Sequence, residues 1–191
     1  MKEWVEKEFE ESIAIKKQTL EIARDQIIRM AEIIHNAYCR GGKLLVFGNG
    51  GSAADAQHLA GELIGRFKME RKPFPCIALT TDTSILTAVA NDFGYEHVFA
   101  KQIEGLARSG DVVLALSTSG NSANVIQGLK AARNAGCVCL ALGGKQGGAM
   151  IPLADVSIVV PSDSAQRIQE SHILLVHTLC LLIEHKLKAI Q

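Results

Sequence analysis

The sequence has no surplus of charge of either sign: twenty Lys and Arg face twenty Asp and Glu, for a formal net charge of zero. It therefore lacks the electrostatic footprint on which general nucleic-acid binding rests. A membrane span is also missing, because the most apolar run, Ile173 to Ile183, is interrupted by His177 and Thr178 and falls far short of the roughly 20 residues a span requires. No export signal is visible: the first residues, MKEWVEKE, are acidic and charged where a secretory signal has a basic start and then an apolar run. Cysteine is sparse and odd in number, and Cys39, Cys76, Cys137, Cys139 and Cys180 lie mostly in apolar runs. That suits reduced packing residues of a cytoplasmic protein rather than a disulfide framework.

What is present is a composition of 48% apolar and 21% charged residues in a chain of 191, the mix of one globular domain. The chain reads as a single domain over 1–191, with a helical segment at 1–40 and an α/β core at 41–191. Trp4 to Cys39 contains neither proline nor glycine and repeats apolar residues at helical spacing (Phe9, Ile13, Leu20, Ala23, Ile27, Met30, Ile34), predicting one or two amphipathic helices. Such helices need more surface to bury against, which points to homo-oligomerisation.

Beyond Gly41, short apolar runs alternate with helical stretches. Strands are predicted at 43–48, 76–79, 112–116, 137–142 and 156–160. Helices are predicted at 53–67, 84–89, 98–107, 123–134 and 167–187, with a turn at Asn91 to Gly94. Strands and helices in alternation with short connections make a three-layer αβα sandwich around a mostly parallel five-stranded sheet.

Two polar loops follow apolar strands and precede helices, where free backbone N–H groups and the positive helix end favour an anion. One is GNGGS, Gly48 to Ser52; the other is STSGNS, Ser117 to Ser122. Neither has the spacing of a dinucleotide fingerprint or the Gly-Lys-Ser/Thr of a phosphate-binding P-loop, so the ligand is a phosphorylated small molecule with no nucleotide cofactor. Past the first loop, His58 and Glu62 stand four residues apart on one helical face, where Glu62 could serve as a base and His58 as a ligand or proton carrier. On the last helix His177 sits inside an apolar stretch and needs a partner to be charged there, and Gln169 lies about two turns before it. His58, Glu62, Gln169 and His177 together form a donor set that zinc or a related divalent ion accepts. His35, His97 and His185 have no such context.

In this order and combination, GNGGS, His58 with Glu62, NDFG at 91–94, STSGNS, and RIQE at 167–170 with His177 resemble the SIS (sugar isomerase) domain family over almost the whole chain. The resemblance implies a cytoplasmic homotetramer that turns sedoheptulose 7-phosphate into D-glycero-D-manno-heptose 7-phosphate, a step toward ADP-heptose and the lipopolysaccharide core. It further implies that Ser117, Thr118, Ser119 and Ser122 hold the phosphate while Asn49, Gly50, Gly51, Ser52, Asn91 and Asp92 line the sugar, with His58, Glu62 and Gln169 also facing it. Glu62 would move the proton with His177 as acid/base partner. His58, Glu62, Gln169 and His177 match the positions that hold one zinc per subunit in metal-containing members. The chain departs from the family at Ser164 to Gln166, where many members carry an acidic residue or a threonine. A non-enzymatic relative that associates with the DnaA initiator shares part of this framework, which gives a binding module as the alternative; it lacks the full acid/base pair at the positions of Glu62 and His177.

Overall fold

The computed structural model describes residues 1–188, so the last three positions of the single-domain span 1–191 lie outside it. Helices are α1 (Lys2–Cys39), α2 (Gly51–Ile64), α3 (Thr83–Phe93), α4 (Val98–Leu106), α5 (Ala123–Asn134) and α6 (Ala165–Lys188). Strands are β1 (Leu44–Gly48), β2 (Cys76–Ala78), β3 (Val112–Ser117), β4 (Val138–Gly144) and β5 (Val156–Val160). They form one sheet in the order β2-β1-β3-β4-β5, and every neighbouring pair is parallel.

The strands are uniformly apolar because both faces are covered. Leu44, Val46, Leu114, Leu116, Leu140 and Leu142 pack under α1, α2 and α6, while Leu45, Phe47, Val113, Ala115, Cys139 and Ala141 pack under α4 and α5. Successive side chains point to opposite faces, so each strand feeds both layers.

The long pattern before the first strand is one helix, not two. From Thr19 onward α1 buries Ala23, Ile27, Met30, Ala31 and Ile34 at helical spacing, but no residue before Thr19 is buried: Trp4 is 74% and Phe9 69% exposed. Three sequence expectations are corrected. The α2 helix stops at Ile64 instead of 67, where Arg71 Nη1 and Nη2 take the carbonyls of Leu63 and Glu62. Asn91 and Asp92 belong to the last turn of α3, which runs to Phe93 and ends because Gly94 takes φ of +93°. Cys39 is exposed at the end of α1, whereas the other four thiols are buried, and none of the five is paired.

Two carboxylates tie the elements together. Asp111 accepts from the backbone N–H and Nζ of Lys43 and from the Arg108 N–H, joining β1 to the turn before β3. Burial alone would raise its pKa, but the Lys43 and backbone bonds outweigh that and hold it below the usual carboxylate range. Glu184, fully buried on α6, accepts from the N–H groups of Phe67, Lys68 and Met69 and pairs with Arg71 Nε at 2.9 Å. Burial again pushes upward and those four bonds win, so this carboxyl also lies below its ordinary value.

Glu184→Gln keeps the shape and strands the Arg71 charge, and breaking a buried pair from one side costs about 3–5 kcal/mol. Chemical unfolding near neutral pH is expected to register a loss of that size. Since both carboxyls are depressed in the folded chain, their contribution is complete above the unfolded carboxylate range, about pH 4, and is lost as pH falls through the lower folded values. Wild type and Glu184→Gln should therefore converge in stability as the solution is acidified below about pH 4.

Candidate active site

The strand order reverses between β1 and β3: β2 lies on one side of β1, and β3, β4 and β5 follow on the other. At such a switch point the loops leaving two adjacent strands part, and a crevice opens at the carboxyl edge of the sheet. The loops that part here are the two polar ones. Gly50, with φ of +55°, turns the chain from β1 into α2, and Gly51 brings it so close to Gln169 that a Cβ would collide with the carboxamide. In the second loop Gly120, with φ of +66°, lies against the Gly147 carbonyl, where no side chain fits.

Between the loops lies a small polar cavity of about 80 Å³, lined by Asn49, Ser52, Leu116, Ser117, Thr118, Ser122 and Gln169. Ser117 Oγ is 3.3 Å from Ser122 Oγ and 3.5 Å from Ser119 Oγ, and it accepts the Gly120 N–H at 3.1 Å. Neither N-cap residue caps its helix with a side chain: Gly50 before α2 has none, and the Ser122 hydroxyl before α5 turns to Ser117 instead. Two helix amino ends and a set of hydroxyls thus border one space, an arrangement suited to a phosphate ester. A larger hollow of about 610 Å³ lies at the opposite, amino edge around Arg40, Lys43, Arg108 and Asp111. There the Lys43 charge is already met by Asp111 at 2.5 Å.

Below the first loop, α2 carries Ser52, Asp55, His58 and Glu62 at intervals of three, three and four, one stripe on one face. The neighbouring α6 places His177 opposite that stripe. His58 Nε2 stands 2.9 Å from His177 Nε2 and 3.2 Å from Glu62 Oε1, and all three ligand atoms lie within 4.8 Å of one another. Two imidazole nitrogens at this distance need a proton or a cation between their lone pairs. Two imidazoles and a carboxylate are a donor set that fits a divalent ion such as zinc with a coordination position to spare. Gln169, the remaining donor expected from the sequence, is held beside Gly51 in the hydroxyl cavity.

Asn91 and Asp92 are exposed, bond to each other at 2.8 Å and are not among the residues lining the cavity. Their segment reaches the site through the next residues, where the Tyr95 hydroxyl donates to Asn49 Oδ1 at 3.2 Å. Ser164 lies at the start of α6, where its hydroxyl accepts the Arg167 N–H at 3.4 Å.

Several neighbours escaped the sequence reading. Asp55, which reads as a helix-start residue, sits inside α2 with Oδ2 buried and unpartnered; burial raises its pKa to about 6 against the pull of His58. The spacing of three to His58 was a usable signal. Phe67 stacks on the His177 ring at 5.7 Å, and Asn124 pairs with Asn49, and neither had a sequence cue. His172 behaves as a core residue: its Nε2 lies 3.0 Å from the Gly143 carbonyl, and burial lowers its pKa to about 4, so it stays neutral.

Known proteins resemble this chain in both sequence and fold. A model of the SIS domain matches residues 9–144. The phosphoheptose isomerase of Aquifex aeolicus is 53% identical over 184 residues, 96% of each chain, and that of Roseiflexus sp. is 50% identical over 96% of this chain and 93% of its own. The solved phosphoheptose isomerase of Neisseria gonorrhoeae superposes with a TM-score of 0.92 at 44% identity, covering 96% of this chain and 98% of the other.

Gly120→Ala is expected to lower stability by at least about 1 kcal/mol, since alanine is strained at positive φ and its Cβ meets a backbone carbonyl. Calorimetry with inorganic phosphate should show weakened binding in the same variant. Gly105→Ala, which points into open space on α4, serves as the control and should leave both readings unimpaired.

Proposed function

The chain belongs to the SIS domain family as an isomerase that converts sedoheptulose 7-phosphate to D-glycero-D-manno-heptose 7-phosphate, and we propose that Glu62 and His177 carry its proton transfers. The observation that carries this assignment is the meeting of Glu62 with His58 and His177 across α2 and α6, next to an anion-receptive cavity.

Ketose-to-aldose conversion needs no redox cofactor. A base takes a proton from C1, the C1–C2 enediolate forms, and the proton is returned at C2, while an acid/base group supplies the proton to O2 and removes the one on O1. Glu62, half-buried at the wall of the site, is the base that shuttles between the two carbons. His177, held against Phe67, is the partner at the oxygens. The hydroxyls of Ser117, Thr118, Ser119 and Ser122 anchor the phosphate at the amino end of α5. That anchor turns binding energy at the far end of the sugar into orientation at C1 and C2. Asn49, Gly50, Gly51, Ser52, Asn91 and Asp92 are assigned to the sugar hydroxyls.

His58, Glu62, Gln169 and His177 would hold one zinc per subunit, which supplies polarisation of a carbonyl oxygen when bound. A carboxylate has two oxygens, so Glu62 can offer one to an ion and one to substrate. A homotetramer is supported by the uncovered apolar half of α1 and by an apolar groove of about 280 Å³ between α1 and α6, lined by Leu20, Ala23, Ile27, Leu174 and Leu175 among others. A cytoplasmic setting, on the way to ADP-heptose and lipopolysaccharide, is supported by five unpaired thiols. No helix among the described residues is long and apolar enough to cross a membrane.

Incubation with sedoheptulose 7-phosphate in deuterium oxide, with and without added zinc, is expected to give aldoheptose carrying deuterium at C2, read by NMR. Glu62→Gln and His177→Ala should each lower kcat by about 10²–10⁴-fold with the fold intact by circular dichroism. Near-normal turnover in either variant would remove that residue from its role. Metal analysis should find about one zinc per chain in wild type and a clear loss in His58→Ala, whose imidazole belongs to the donor set.

A further inference from the structure

Asn49 is not free to turn. Its Nδ2 donates to Asn124 Oδ1 and its Oδ1 accepts from Asn124 Nδ2, both at 2.8 Å, so the two carboxamides exchange a reciprocal pair of bonds. The sense of the pair is fixed from outside. A backbone N–H can only donate, and Val125 N–H points at Asn124 at 2.9 Å, so that atom of Asn124 is its oxygen. The other arm of Asn124 is then its amide nitrogen, the atom of Asn49 facing it is oxygen, and the Tyr95 hydroxyl at 3.2 Å from that oxygen has to donate. Both lone pairs of Asn49 Oδ1 are thereby used, and one N–H of Nδ2 is left over.

We propose that Tyr95 and Asn124 are positioning residues for the isomerase, locking Asn49 so that it presents a single N–H donor, and no acceptor, to a sugar oxygen. The inference rests on the substrate reading above and deepens it. Asn124 is 3% exposed and sits at the start of α5, so the lock runs from the β1 loop to the helix that follows the hydroxyl loop. Tyr95 is 59% exposed and stands just past the turn that ends α3. Its bond to Asn49 fastens the segment bearing Asn91 and Asp92 to the rim of the site.

Because Tyr95 acts through Asn49, its removal loosens an interaction made alike with bound substrate and transition state. KM should rise while kcat stays near wild type. The test is a double-mutant cycle with Tyr95→Phe, Asn49→Ala and the combination, each assayed for KM and kcat with sedoheptulose 7-phosphate and each checked for an unchanged melting temperature. Tyr95→Phe is expected to raise KM about three- to tenfold, the worth of one hydrogen bond. In the Asn49→Ala background the same change should have no further effect. An unchanged KM in Tyr95→Phe overturns the proposal. So does an equal rise with and without Asn49, which would put Tyr95 on the substrate itself. Absence of turnover by wild type overturns the substrate reading and this inference together, whereas normal wild-type turnover with an inert Tyr95→Phe overturns this inference alone.

Discussion

In a parallel sheet every strand delivers its outgoing loop to the same edge, and the loops part only where successive strands are laid down on opposite sides of the first. That happens once here, between β1 and β3, and the site depends on it. The loop after Gly48 and the loop after Ser117 part at this point, the amino ends of α2 and α5 come with them, and α6 returns across the same layer to bring Gln169 and His177 against α2. The polar residues of the site contribute little to the core, and the core decides where each one stands.

Catalytic geometry of this kind tolerates little play, and the fold removes play with buried polar groups. Arg71 takes the Glu62 carbonyl with one guanidinium nitrogen while Glu184 holds the same guanidinium from α6. The end of α2 is thus fixed to the helix that carries His177 by a pair shielded from solvent and salt. Asn124 does the same for Asn49 with neutral groups. Both devices join an element of the site to a second element far along the chain, so neither half of the crevice is free to drift from the other.

Much of the fold was legible because parallel strands buried on both faces write themselves as short apolar runs, and β1, β3, β4 and β5 were placed within two residues. Helix ends were less legible. The end of α2 is set by Arg71, and Asn91 and Asp92 extend α3 although asparagine and aspartate favour turns, because the turn is made by Gly94. Within the site, His58 and Glu62 could be paired because they share one helix. Their meeting with His177, 119 positions away, could not be read from spacing and came only with the fold. Arg71 and Glu184 are separated by 113 positions and carried no local sign of each other. Cys39 looked like its four companions because a helix that is apolar on one side reads the same up to its exposed end.

That last difference has a chemical consequence. Cys76, Cys139 and Cys180 are buried; burial pushes the Cys76 thiol far up, those of Cys139 and Cys180 to about 12, and raises Cys137 as well. Oxidants and electrophiles react with thiolates they can reach, so these four are shielded twice over. Cys39 stands where α1 ends, just ahead of the strand edge opposite the crevice. Among the thiols, an oxidant therefore meets its first target at the far side of the sheet, and cysteine oxidation in the folded chain begins away from the edge that carries the two polar loops.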